Sequence, residues 1–129
     1  MSSVVLDAVA VTAVLRREPG HEAVVPHLRG ALISCVNLAE VLCISRTRGS
    51  LPEFDDLAIS RMQLRPVPFD EDQARFVASI YSKTLGGTVG LADRACMALG
   101  LSRNLPVLTG VREWLNFDVG VDVRLFRNG

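Results

Sequence analysis

A short apolar run that ends on an acid, Ser3-Val4-Val5-Leu6-Asp7, constrains this chain more than any other stretch. Such a run reads as a strand buried on both faces, the pattern of a parallel sheet. The carboxylate arrives where the strand should give way to a helix, and no other charge follows until Arg16. In open α/β sheets the ligand crevice lies beyond the carboxyl ends of the strands. Asp7 therefore raises the question of whether other acids reach the same crevice.

Strands and helices alternate along the rest of the chain. Residues 8–17, rich in Ala, Val and Leu, predict a helix stopped by Glu18-Pro19-Gly20. Residues 21–28 can form a second helix, weakened by Pro26. Ala31-Leu32-Ile33 predicts a strand, with Ser34 as cap for a long helix that Gly49 closes. Pro52 opens another helix, with acids in its first turns. Residues 64–69 predict a strand whose Pro66 and Pro68 suit a sheet edge. Asp70 caps a helix running to about residue 84, and Gly86-Gly87 forms a loop. Residues 90–102 predict a helix, 105–108 a strand, 109–116 a loop or short helix, and 121–126 a last strand. The class is α/β with a mainly parallel sheet, and 129 residues suit one domain, 1–129.

Equal numbers of basic and acidic residues, 14 each, leave no net charge to draw the whole molecule to nucleic acid. A grip on RNA confined to the scissile phosphate is still compatible with that balance. Cys35, Cys43 and Cys96 are odd in number, lack CxxC spacing and sit in apolar sequence, as reduced core residues do. No basic-plus-apolar leader opens the sequence, and no apolar run reaches the ~18 residues of a membrane span. The expectation is a soluble protein of the cytoplasm, without membrane contact.

Most of the acids sit at helix starts or turns. Three are set apart by the apolar sequence around them: Asp7, Glu40 within Val36-Asn37-Leu38-Ala39-Glu40-Val41-Leu42, and Asp93 within Leu91-Ala92-Asp93-Arg94-Ala95-Cys96. Carboxylates embedded in apolar sequence need partners. Each alone has a structural explanation: Asp7 as helix cap, Asp93 in a first helical turn, Glu40 paired with an arginine. Three together, each near the start of a different helix, favour a shared divalent cation, and oxygen-only ligands suit Mg2+ or Mn2+. Asn37 shares a helix face with Glu40 at i, i+3, so it can orient that acid or contact substrate. Arg94 and Arg112 can touch phosphate, an ion pair with a nearby acid being the plainer expectation. His21 and His27 read as surface residues.

Four blocks, Val4-Val5-Leu6-Asp7-Ala8, Asn37-Leu38-Ala39-Glu40-Val41, Leu91-Ala92-Asp93-Arg94-Ala95-Cys96 and Leu105-Pro106-Val107-Leu108-Thr109, stand in the order found in PIN-domain proteins. The chain most resembles the VapC-type toxins of bacterial toxin–antitoxin pairs. The resemblance implies a five-stranded parallel sheet of order 3-2-1-4-5 flanked by helices. It implies an endoribonuclease that hydrolyses RNA with Mg2+ or Mn2+, an antitoxin partner and a homodimer. By motif it assigns Asp7, Glu40 and Asp93 to catalysis and metal binding, with Asn37, Thr109 and Arg94 as candidates for substrate contact.

One departure matters. The family usually carries a fourth acid two residues after the threonine, and here Thr109-Gly110-Val111-Arg112-Glu113-Trp114 puts Val111 there. A valine cannot bind a metal, so attenuated activity follows. The alternative is a catalytically impaired binding module that keeps the fold and pairs with an antitoxin or RNA. A PIN-fold DNA nuclease is a further alternative. Apolar residues around Val11 to Leu15 and Val41 to Ile44 exceed what one buried face needs, and are expected to meet an antitoxin or a second subunit.

Overall fold

The computed structural model describes residues 3–86 and 88–127. Five short strands, β1 (Val5–Leu6), β2 (Leu32–Ser34), β3 (Arg65–Val67), β4 (Val107–Thr109) and β5 (Val123–Leu125), pair in parallel in the order β3-β2-β1-β4-β5. This is the expected order. It puts β1 at the centre, with Val5 opposite both Leu32 and Val107.

Side chains alternate across the sheet as the pleat requires. Leu6, Ile33 and Leu108 enter one apolar cluster with Val11, Val24, Val41 and Met62. Val5, Leu32 and Val107 enter the other with Ile80, Met97 and Leu99. The first cluster is closed by α1 (Ala8–Arg16), α2 (His21–Val24), α3 (Cys35–Thr47) and α4 (Pro52–Met62); the second by α5 (Glu71–Ile80) and α6 (Leu91–Arg103). With both faces covered, the central strands read as continuous apolar runs.

Local chemistry sets the helix starts. Asp7 accepts the Ala10 N–H, Ser34 the Val36 N–H and Asp70 the Gln73 N–H, each satisfying a first-turn donor. Gly100 lets α6 lie against the sheet, since a Cβ there would stand 2.5 Å from Val107 Cγ2 and 2.8 Å from Val121 Cγ2.

Several expected elements are shorter than their sequence patterns. The helix over 21–28 stops at Val24 and continues as a 3₁₀ turn over Val25–His27, because Pro26 has no N–H to give. The helix from Glu71 becomes a 3₁₀ turn at Tyr81–Lys83, where the Thr84 hydroxyl caps the carbonyls of Ile80 and Tyr81. The strand over 64–69 keeps only Arg65–Val67, at the sheet edge as expected. Gly86 turns at φ +105°, and Gly87 lies outside the described residues. Val11, Ala13 and Val41 are buried, so α1 and α3 spend much of their apolar excess on the core. Large exposed apolar side chains gather on and beside α4, at Leu51, Phe54 and Leu57, with others at Val25, Leu85, Leu91 and Leu115.

Candidate active site

Asp7 leaves the end of β1 as the cap of α1 and is 2% exposed. One oxygen accepts the Ala10 N–H at 2.7 Å; the other accepts the Thr109 hydroxyl and, at 3.4 Å, the Gly110 N–H. Thr109 ends β4, is fully buried and accepts the Val111 N–H at 3.0 Å. Its hydroxyl is thus committed to the carboxylate, the geometry of a positioning side chain. Burial outweighs these hydrogen bonds and raises the Asp7 carboxyl from 3.8 to about 6, with the Asp93 charge adding to the rise.

Glu40 lies in the second turn of α3, partly open to solvent. Asn37, one turn earlier and 1% exposed, donates through Nδ2 to Glu40 Oε1 at 3.2 Å and to the Ala92 carbonyl at 2.9 Å. One amide therefore orients Glu40 and ties α3 to the first turn of α6. Asn37 Oδ1 is buried without a hydrogen-bond partner. Burial raises the Glu40 carboxyl above its usual value, with the Asp93 charge adding and the Asn37 bond opposing.

Asp93 sits in the first turn of α6, where its carboxylate accepts the Gly90 N–H at 3.0 Å. Its charge reaches both other acids, and all three help raise the buried Cys96 thiol well above its normal value, after burial itself. Asp7, Glu40 and Asp93 thus share one electrostatic neighbourhood at the carboxyl end of the sheet. Among the described residues none of them pairs with a cationic side chain, so the arginine partner considered for Glu40 is not found. As the side chains stand, no three of His, Cys, Asp and Glu among the described residues are close enough to hold one metal ion.

Val111 is half-buried against the apolar cluster of Met97 and Trp114, and Glu113 lies in the 3₁₀ turn that follows (Arg112–Asn116). Arg94 makes no ion pair among the described residues; it bonds Thr84 through Nε at 2.8 Å. Arg112 and His27 are exposed, and half-buried His21 faces Glu18 and Glu22. The sequence left two features unread, one in the site and one outside it. The Gly110 N–H directed at Asp7 depends on how β4 ends. Asp55, read as a helix-start acid, is 1% exposed and is held by Ser50 and Arg46 away from the site.

The sequence profile of the PIN domain matches residues 4–116. The chain belongs to the PIN domain family. Among curated proteins none matches. Solved structures share the PIN fold at low identity. A toxin–antitoxin complex from Klebsiella pneumoniae superposes with a TM-score of 0.78 at 16% identity, over 98% of this chain and 100% of the other. DNA-bound VapBC from Salmonella typhimurium gives 0.73 at 23%, with the same coverage. VapC20 of Mycobacterium tuberculosis, a toxin that cleaves the sarcin–ricin loop, gives 0.65 at 13%, over 84% and 88% of the two chains. At such identities the likeness concerns the fold of this PIN domain.

Proposed function

We propose that this PIN domain is a VapC-like toxin endoribonuclease that hydrolyses RNA phosphodiester bonds, with Mg2+ or Mn2+ held by Asp7, Glu40 and Asp93. The observation that carries the reading is three carboxylates, drawn from separate elements, in one electrostatic neighbourhood, none of them paired with a cationic side chain among the described residues. Burial makes Asp7 costly to ionise, and a cation relieves that cost. All the donors are hard oxygens, which suit Mg2+ or Mn2+ better than a thiol-seeking ion. When bound, the ion supplies Lewis acidity and a more acidic water.

The chain's own residues divide the remaining work. Asp7, fixed by three hydrogen bonds, is the rigid anchor, and Thr109 and Gly110 hold its second oxygen. Glu40 is more open to solvent and accepts one hydrogen bond. Asn37 binds its Oε1, which leaves Oε2 to accept the proton of an attacking water, directly or through another water. A carboxyl raised above its usual value is the better general base for that step. Direct attack by water leaves a 5′-phosphate and a 3′-hydroxyl, with no covalent intermediate. Asn37 and Thr109 act through the carboxylates they orient. With Val111 where a fourth acid usually stands, activity is attenuated.

A small antitoxin is the proposed protein partner, alongside homodimer formation and a cytoplasmic location. Similar folds solved as toxin–antitoxin complexes support the antitoxin. So does an open groove of about 300 Å³ between α1 and α4, where Val14, Leu28 and Met62 meet Phe54 and Leu57, which are 60% and 53% exposed. The test of function is cleavage of a structured RNA panel with and without Mn2+, beside an Asp7→Asn control. Metal-dependent cleavage lost in the control is expected. RNA or antitoxin binding with no cleavage at any metal concentration would favour the impaired binding module, which Val111 motivates.

A further inference from the structure

Arg94 follows Asp93 on α6, and its guanidinium finds neutral partners rather than a carboxylate. Nε donates to Thr84 Oγ1 at 2.8 Å and Nη2 to the Thr84 carbonyl at 3.1 Å. Thr84 is fully buried and anchored to the end of α5. So fixed, the guanidinium lies over the ring of Tyr81, its carbon 4.6 Å from the ring centroid. Tyr81 is the only tyrosine in the chain and stays 55% exposed. Beside it stands Lys83, the only lysine. An exposed aromatic ring is thus locked by a cation that follows Asp93 directly on α6.

That combination suits one class of ligand. A ring already held in place loses little freedom when a flat partner stacks on it. Guanidinium and ammonium groups offset the repulsion that three carboxylates exert on a polyanion. Every nucleobase has a π-face, and unpaired bases in RNA are held by stacking on aromatic side chains. We propose that Tyr81, backed by Arg94, is the stacking ledge for an unpaired nucleobase of RNA bound at the three-acid site. The proposal rests on the ribonuclease reading and assigns to this site a specificity for unpaired RNA.

The test uses RNA hairpins with 2-aminopurine at successive loop positions, titrated with the whole chain and its Tyr81→Phe, Tyr81→Leu and Tyr81→Ala variants. Stacking should quench the probe at one loop position. Tyr81→Phe should keep the quench; Tyr81→Leu and Tyr81→Ala should lose it and raise Kd and KM roughly 10- to 100-fold, with kcat within about twofold. Tyr81→Leu keeps apolar volume without a π-face, so it separates stacking from folding. Equal affinity in Tyr81→Phe and Tyr81→Leu would overturn the ledge while leaving the nuclease standing. So would a change in sedimentation of the variants, which would assign the ring to a contact between subunits. A chain that neither binds nor cuts any RNA would overturn the ribonuclease reading and the ledge together.

Discussion

Asp7 is more easily protonated in the folded chain than in the unfolded one, about 6 against 3.8. A raised carboxyl contributes stability that is full below the lower value and is lost as pH rises through the higher. A gap of about two pH units at 1.36 kcal/mol each amounts to about 3 kcal/mol at neutral pH. Without divalent metal, Asp7→Asn should therefore raise Tm at pH 7.5 and change it little near pH 4. Scanning calorimetry reads both, and a lower Tm at pH 7.5 would mean that losing the second acceptor oxygen, which Thr109 and Gly110 use and an amide NH2 cannot replace, outweighs the relief of the buried charge. Added Mn2+ should stabilise the parent chain and not the variant, since only the parent keeps the charge. Val111 is the second residue with a sharp test. Val111→Asp restores the usual fourth acid, and should tighten Mn2+ binding in a calorimetric titration and speed RNA cleavage. Unchanged affinity and rate would mean that Glu113 already serves, or that the aspartate points away from the site.

At the scale of elements, α6 is the piece on which the site depends most. It carries Asp93 and Arg94 at one end and Gly100 in its later half, where the helix presses on Val107 of β4 and on Val121 ahead of β5. Gly100→Ala places a methyl against Val107 and Val121, and should cost roughly 1–3 kcal/mol in a denaturant titration. It should also lower activity, because α6 can yield only by moving its acidic end; an unchanged denaturant midpoint would contradict the tight approach. The sequence made such elements visible to different degrees. The apolar run before Asp7, the Ser34 and Asp70 caps and the prolines of β3 each act within a few residues, so helix starts and the edge place of β3 could be read, while the strand order followed from the family resemblance. The three acids stood out because they interrupt apolar sequence. The Thr109–Asp7 bond spans 102 positions, and the Arg94–Tyr81 stack depends on where α5 gives way to a turn. No local period encodes either, because both depend on packing between elements. Arg94 shows the consequence: its sequence neighbours suggested a carboxylate, and packing gave it a buried threonine and an aromatic face.

For the molecule as a whole, the acidic site and the α4 groove are lined by different residues, which makes catalysis and partnership separable. Leu57→Glu puts a charge into the groove without touching Asp7, Glu40 or Asp93. It should abolish co-purification with an antitoxin encoded immediately upstream, while metal-dependent cleavage of RNA stays as in the parent chain. Retained co-purification would move the partner to another surface. The central place of β1 has another consequence, which concerns time. Asp7 is made before β4 and Thr109, which hold it and follow 102 positions later. At about 5–20 residues per second, synthesis of that interval takes roughly 5–20 s. Through that interval a growing chain carries Asp7 without its shelf, and Asp93 is made only late within it. A protein that cuts RNA would thus stay harmless to the ribosome building it until β4 had also been made.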